Sequence, residues 1–174
     1  ISVSRQKPER RQMDLLEALA QARRQRNDLH LALVGRGEFQ PELKLAVERL
    51  KLGSSVLFAG YAQGDELPQA FQSCDTSVWL AEGNDGTCRA VGQSLASGKP
   101  VIGARLGAIA DALGPHPMAG WLCKPKDIVG LTQILVDLPR RSELTQRAST
   151  LRSLAEAEWS LSSRTDNFLA ICER

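Results

Sequence analysis

The sequence predicts an α/β domain: a doubly wound, six-stranded parallel sheet with helices on both faces. Three observations lead there. Six short apolar runs recur along the chain, at 1–4, 29–34, 56–59, 76–81, 100–104 and 119–123. They are near-continuous rather than alternating, as expected of strands covered on both faces. Between them lie stretches with apolar residues at helical spacing, most of them closed by glycine or proline. Strands alternating with helices in this way favour parallel pairing through crossover helices. With the usual strand order, 3-2-1-4-5-6, a ligand crevice falls outside the carboxyl ends of strands 1 and 4.

Composition bounds the reading further. The chain has 174 residues, 43% hydrophobic and 24% charged, enough to bury one ordinary core, so 1–174 is read as a single domain. A net charge of +2 gives no argument for a nucleic-acid partner or for a charged membrane surface. No apolar run approaches a membrane span. Four cysteines (Cys74, Cys88, Cys123, Cys172) without paired spacing, and two histidines, disfavour a disulfide scaffold or a zinc site and fit a reducing cytoplasm. The opening ISVSRQ has no initiator Met and no signal peptide and begins inside a strand, so an excised domain of a longer protein is expected.

In order, Ile1–Ser4 is a β-prone run followed by a basic loop, RQKPERRQ. The first helix carries Leu15, Leu16, Leu19 and Ala22 on one face. Leu29–Val34 runs straight into Gly35-Arg36-Gly37, and the helix from Glu38 to Leu50 presents Leu43, Ala46, Val47 and Leu50. Val56–Ala59 is the third strand, closed by Gly60 and Tyr61. Gly64-Asp65 starts a short helix with Leu67, Ala70 and Phe71 inward, and Thr76–Ala81 follows as the fourth strand. Beyond the fifth strand, Leu106–Leu113 is a short helix and Ala119–Cys123 the sixth strand. The remainder reads as helices over Asp127–Leu138, Ser142–Trp159 and Ser162–Cys172. His30 and His116 have no partners in sequence and are assigned no role.

The most informative stretch is AEGNDGTCRAVGQSLASGKPVIG, Ala81 to Gly103. Glu82–Gly86 is polar and glycine-rich and reads as loop. Thr87 fits an N-cap, Cys88–Ser97 is helical with Val91 and Leu95 inward, and Gly98 ends the helix. A strand, a glycine loop and a helix start form an anion-ready unit. Arg89 then falls in the first helical turn, where a cation is disfavoured by roughly 0.3–1 kcal/mol unless an anion binds nearby. The alternative is that Arg89 points into water or pairs with Asp85 or Glu82. Arg5 and Arg10 follow strand 1, so two segments with anion-binding character meet where the topology places a ligand.

These residues resemble a known pattern. The chain is similar, over nearly its whole length, to the C-terminal, donor-binding domain of the GT-B-fold retaining glycosyltransferases of the group 1 family, whose fold is Rossmann-like. That domain opens with a strand and G-R-L-x-x-x-K-G, matched in place by Ser4-Arg5 and Arg10-Arg11. Leu31–Gly37 matches L-x-I-V-G-x-G, Val56–Gly60 matches V-x-F-x-G, and Gly98-Lys99-Pro100-Val101 matches G-x-P-V. Gly107-Ala108-Ile109-Ala110-Asp111 is a worn G-G-x-x-E. Counted back from Gly98, the family's E-x7-E falls on Asp85 and Gln93. Asp85 keeps the charge on a shorter stem; Gln93 loses it, keeping one acceptor and gaining two donors. Neutral hydrogen bonds are roughly half as strong as charge-assisted ones. Gly92, in the helix interior, costs about 1 kcal/mol against Ala, which points to close backbone approach or to relaxed selection.

The resemblance implies a role for each site. Asp85, Arg5 and Arg10 would be the catalytic group, Asp85 orienting the sugar and the two arginines holding the diphosphate. Gly35, Gly37, Tyr61, Gly86, Thr87, Cys88, Arg89 and Gln93 would bind substrate, with Gln93 at the ribose and Tyr61 beside the base. The substrate would be a nucleotide diphosphate sugar of UDP or GDP type. No cofactor and no metal is implied. The acceptor would sit on an N-terminal domain, to which a C-terminal helix over 160–174 would cross back, and any peripheral contact with a membrane would run through that domain.

Other readings stay open at this point. The RQKPERRQ loop can be solvated charge, Tyr61 can be packing, Gly35 and Gly37 can simply end a buried strand, and Glu82 can replace Asp85 in another loop register. A non-catalytic relic acting as a binding or scaffold module is the alternative to an enzyme. A GT-B epimerase is disfavoured, because its set of catalytic carboxylates and histidines is not found.

Overall fold

The computed structural model describes residues 1–82, 85–163 and 165, and the side chains of all of these except 85–88. The elements are β1 (Ser2–Val3), α1 (Gln12–Ala22), β2 (Leu31–Val34), α2 (Gln40–Arg49), β3 (Val56–Gly60), α3 (Glu66–Gln72), β4 (Ser77–Trp79), α4 (Asp85–Ala96), β5 (Val101–Ala104), α5 (Gly107–Leu113), β6 (Gly120–Cys123), α6 (Ile128–Val136), α7 (Arg141–Gln146) and α8 (Ala148–Trp159). Short 3-10 turns at Pro8–Arg10 and Pro117–Ala119 precede α1 and β6.

Because side chains alternate along a strand, a continuous apolar run feeds two cores at once. Leu31, Leu33, Val78, Ile102 and Cys123 pack with α1, α2 and α6 on one face. Val34, Trp79 and Val101 pack with Phe71 of α3, Val91 and Leu95 of α4, Ile109 of α5 and Leu151 of α8 on the other. The expected helices on both faces are therefore present. Each fully buried Leu or Ile contributes about 1.5–3 kcal/mol relative to exposure.

Every strand pair is parallel. The six strands form two three-stranded sheets, β1-β2-β3 and β4-β5-β6, rather than one unbroken ladder. The two abut at β1 and β4, where the Val78 N–H donates to the Ile1 carbonyl at 2.9 Å and the Ile1 amino group donates to the Thr76 carbonyl at 2.8 Å. The spatial order is thus 3-2-1-4-5-6, with a seam in the middle. β1 has only two residues, and the hydrogen bonds that join it to β4 come from Ile1, just ahead of it.

Two boundaries differ from expectation, and a third falls largely beyond the described residues. First, α4 starts at Asp85, so Thr87 lies inside the helix rather than capping it, and Arg89 stands beyond the first turn. An aspartate at a helix start is favoured by the macrodipole, which offsets the loop signal of the adjacent glycines. Second, the helix expected over Ser142–Trp159 is two, broken where the Arg147 N–H donates to Leu144 at 3.2 Å in a tightened turn. Third, the helix expected over Ser162–Cys172 lies for the most part outside the described residues. Gly98 does end the unit as expected, at φ +73°.

Candidate functional site

The site begins where β1 runs out. The backbone continues beside β2, with the Ser4 N–H donating to Val34 O at 2.9 Å and the Gln6 N–H to Arg36 O at 3.1 Å. Strand-like alternation turns Arg5 outward and Gln6 inward: Arg5 is exposed, whereas Gln6 is 0% exposed. The Gln6 Nε2 donates to Gly35 O at 3.2 Å, and the Phe39 N–H donates to Gln6 O at 3.2 Å. Two loops are laced into one body.

Glycine makes that lacing possible. Gly35 has φ +136°, and a Cβ there would lie 2.0 Å from Ser4 O. At Gly37 a Cβ would lie 2.1 Å from Gln6 O. Both contacts are with backbone, which cannot swing away. Gly35 and Gly37 therefore hold the segment that carries Arg5, and no other residue type fits either position.

The chain then makes its 3-10 turn and enters α1 through Arg11 at φ 57°. A non-glycine residue in this conformation costs on the order of 1–2 kcal/mol. The resemblance pattern has its glycine at this position, after the Lys matched by Arg10, and the left-handed backbone fits that register. The Arg11 guanidinium is ion-paired with Asp14. Arg10 is half-buried. Lys7 pairs with Glu38 at 3.3 Å, and the Glu38 carboxyl lies below its ordinary range, through a backbone hydrogen bond first and Lys7 second. Among the described residues neither Arg5 nor Arg10 forms an ion pair.

Arg11 also lines a cavity of about 10 Å³ with Asp14, Leu80, Ala104, Cys123 and Asp127. The arginine turn and the carboxyl ends of β4, β5 and β6 therefore meet. From β4 the chain passes to α4, whose rotation is fixed from inside. The Ser94 and Ser77 hydroxyls are 2.7 Å apart, Ser94 Oγ donates to Lys99 O at 3.1 Å, and Trp79 Nε1 donates to Ser77 Oγ at 3.2 Å. Val91 and Leu95 are fully buried. With that face inward, Arg89 and Gln93 are exposed one turn apart on the outer strip. Gly92 has a packing cause, since a Cβ there would meet Trp159 Cγ of α8 at 2.8 Å. Asp85, Gly86, Thr87 and Cys88 begin α4, and their side chains lie outside the description.

Tyr61 follows β3 and is 58% exposed. The Arg36 guanidinium lies over its ring at 4.9 Å, and the Gly35 N–H donates to Gly60 O at 2.6 Å. Arg36 was not singled out in sequence, because one Arg between two glycines carries no periodic signal. Gln6 and Gln12 were also missed, as parts of a loop read as polar. Both are buried, Gln12 Nε2 donates to Ser4 Oγ at 3.2 Å, and each leaves its Oε1 without a partner. Among the described residues no cluster of His, Cys, Asp or Glu could hold a metal, and no helix is long and apolar enough to cross a membrane.

Comparison with known proteins agrees with this architecture. The chain superposes on HepE from Anabaena, solved in complex with UDP, with a TM-score of 0.83 and 23% identity over 99% of this chain and 47% of that one. The C-terminal domain of the glycosyl transferase LpcC from Francisella tularensis superposes with a TM-score of 0.77 and 20% identity, covering 92% of this chain and 85% of that one. In sequence, 103 residues are 33% identical to the sulfoquinovosyl transferase SQD2 of Arabidopsis thaliana, 58% of this chain and 19% of SQD2. The chain thus spans less than half the length of HepE and about a fifth of SQD2. Residues 1–150 match the model of the family described as glycosyl transferases group 1, and the chain belongs to that family.

Proposed function

We propose that this chain is the donor-binding domain of a glycosyltransferase that moves a sugar from a nucleotide diphosphate sugar to an acceptor with retention. The observation that carries the proposal is the pair Arg5 and Arg10. Arg5 follows β1 on a segment held by Gly35 and Gly37, Arg10 ends the 3-10 turn that comes next, and neither forms an ion pair among the described residues, although Arg5 helps to lower the Glu38 carboxyl. A doubly wound sheet takes its ligand at this place, and HepE has been solved with UDP and with UDP-glucose.

In this reading the charge growing on the departing diphosphate is stabilised by Arg5 and Arg10, joined by Arg89 and the backbone N–H groups at the start of α4. Asp85 orients the sugar, Gln93 meets the ribose hydroxyls, and Tyr61 with Arg36 flanks the base. The donor is of UDP or GDP type. The acceptor and any general base belong to another domain, so the chain by itself binds donor without turning it over. One residue favours a second reading, a domain that binds but does not transfer: Gln93 supplies no carboxylate at the ribose position.

Titration calorimetry with the Gln93→Glu variant tests the site. The restored charged acceptor tightens nucleotide binding, and the gain is absent for the 2′-deoxy nucleotide. Asp85→Ala leaves free nucleotide affinity nearly unchanged and lowers affinity for the nucleotide sugar. If Gln93→Glu tightens ribose and deoxyribose forms alike, position 93 does not read the ribose.

A further inference from the structure

Helix α8 reaches α4 through two glycines. A Cβ at Gly92 would lie 2.8 Å from Trp159 Cγ, 3.0 Å from its Cδ1 and 3.1 Å from its Cβ. At Gly98, just past α4, a Cβ would lie 2.8 Å from the Ala148 Cβ. Ala148 and Trp159 are the two ends of α8, and between them Leu151 and Ala155 are buried with Val91 and Leu95. The two helices are therefore in close contact along most of their length.

The two glycine contacts act on different parts of α4. The carboxyl part is also fixed from within, by Ser94 against Ser77 and Lys99. The amino part is joined to it through Gly92, and an interior glycine gives a helix more backbone freedom than any other residue. Trp159 fills the space that Gly92 leaves. Helix side chains tilt toward the helix start, so this space leans toward Arg89. Residues three and four apart share one strip of a helix, here Arg89, Gly92 and Gln93. A half-buried indole thus stands in the same strip as two exposed residues placed at the donor.

We propose that Trp159 is a positioning residue of the donor site. Seated on Gly92, its indole holds the amino part of α4 so that Arg89 meets the diphosphate and Gln93 the ribose. A large ring with only two χ angles suits this task, because it fills the space without adding freedom of its own. The inference rests on the donor-binding reading given above.

Titration calorimetry with UDP, GDP and their 2′-deoxy analogues tests it on the parent chain, Trp159→Ala and Trp159→Phe, with melting curves showing each chain folded at the titration temperature. Trp159→Ala is expected to weaken the preferred diphosphate about tenfold and to bring its preference over the 2′-deoxy analogue down toward one. Trp159→Phe should recover most of both. Loss of packing alone would weaken the two forms alike and leave that preference unchanged. Where Trp159→Ala does not fold, Gly92→Ala, which pushes on the indole from the other side, should show the same two losses. A parent chain that binds neither diphosphate, or binds ribose and deoxyribose forms equally, overturns the donor-binding reading of this strip and the inference with it. A parent that binds and discriminates, beside a variant of equal affinity or of lower affinity with unchanged preference, overturns the role of Trp159 alone.

Discussion

The two ends of the sheet differ in kind. At the carboxyl end the backbone is interlocked, with Gly35 and Gly37 flush against Ser4–Gln6 and a cavity of only about 10 Å³ beside Arg11. At the amino end a groove of about 1060 Å³ opens between walls of mixed character, Leu15, Leu31 and Val56 beside Arg26, Asp28 and Asp75. Both ends hold ion pairs, Arg26 with Asp28 and Arg141 with Asp75 around the groove, Lys7 with Glu38 and Arg11 with Asp14 at the packed end. At the packed end Arg5 and Arg10 stand outside any ion pair among the described residues. The widest space thus lies away from the end at which the nucleotide site is proposed.

The contrast can be broken most severely at Gly35. Valine there meets both a left-handed φ of +136° and the Ser4 carbonyl. Backbone strain and overpacking each cost about 1–3 kcal/mol, so Gly35→Val should lower the unfolding free energy by about 3 kcal/mol in a urea titration. A variant as stable as the parent would mean that the two loops are not interlocked. Gln6→Leu sharpens the same end. It removes a buried carbonyl oxygen that has no donor, and a gain of about 1 kcal/mol is expected; a loss of that size would show that the Gln6–Gly35 bond matters more than the orphan oxygen.

The smallest effect belongs to the amino end and depends on pH. Burial holds the folded Ile1 ammonium below its ordinary pKa, with Cys74 and Asp75 opposing and Arg141 paired to Asp75. The unfolded amino group titrates near 8, so between the folded pKa and about 8 the unfolded chain binds more protons. Stability should therefore be full above about pH 8 and fall as pH drops through the folded value. Acetylating Ile1 should flatten that slope, as read from unfolding midpoints across the range. An unchanged slope would assign it to other groups.

Much of the fold was legible in the residues, since uninterrupted apolar runs have few alternatives once helices separate them. Leu31–Val34 and Val101–Ala104 fall where their apolarity puts them. What escaped was set by tertiary contact. The start of α4 at Asp85 was hidden by glycines that signal a loop, and the cause of Gly92 was the Trp159 ring from a distant helix. In the site, the sequence order of Arg5, Gly35 and Gly37 could be read, but their mechanical link could not. The RQKPERRQ segment reads as a polar loop notable for its arginines, yet Gln6 and Gln12 within it are buried. Two short polar residues can enter a core when backbone carbonyls and hydroxyls meet them, and no periodicity announces this. Arg11 is similar: its left-handed backbone follows from the turn it must complete.

The central claim is that the packed, carboxyl end binds a nucleotide through its diphosphate. Titration calorimetry of UDP and GDP against uridine and guanosine, on the parent chain and on Arg5→Ala and Arg10→Ala, tests it directly. A preference for one diphosphate over its nucleoside is expected, and each substitution should weaken that diphosphate by about 1.5–3 kcal/mol, the worth of a hydrogen bond to a charged group, while leaving the nucleoside unchanged. Equal affinity for diphosphate and nucleoside, or arginine variants that weaken both alike, would contradict the account.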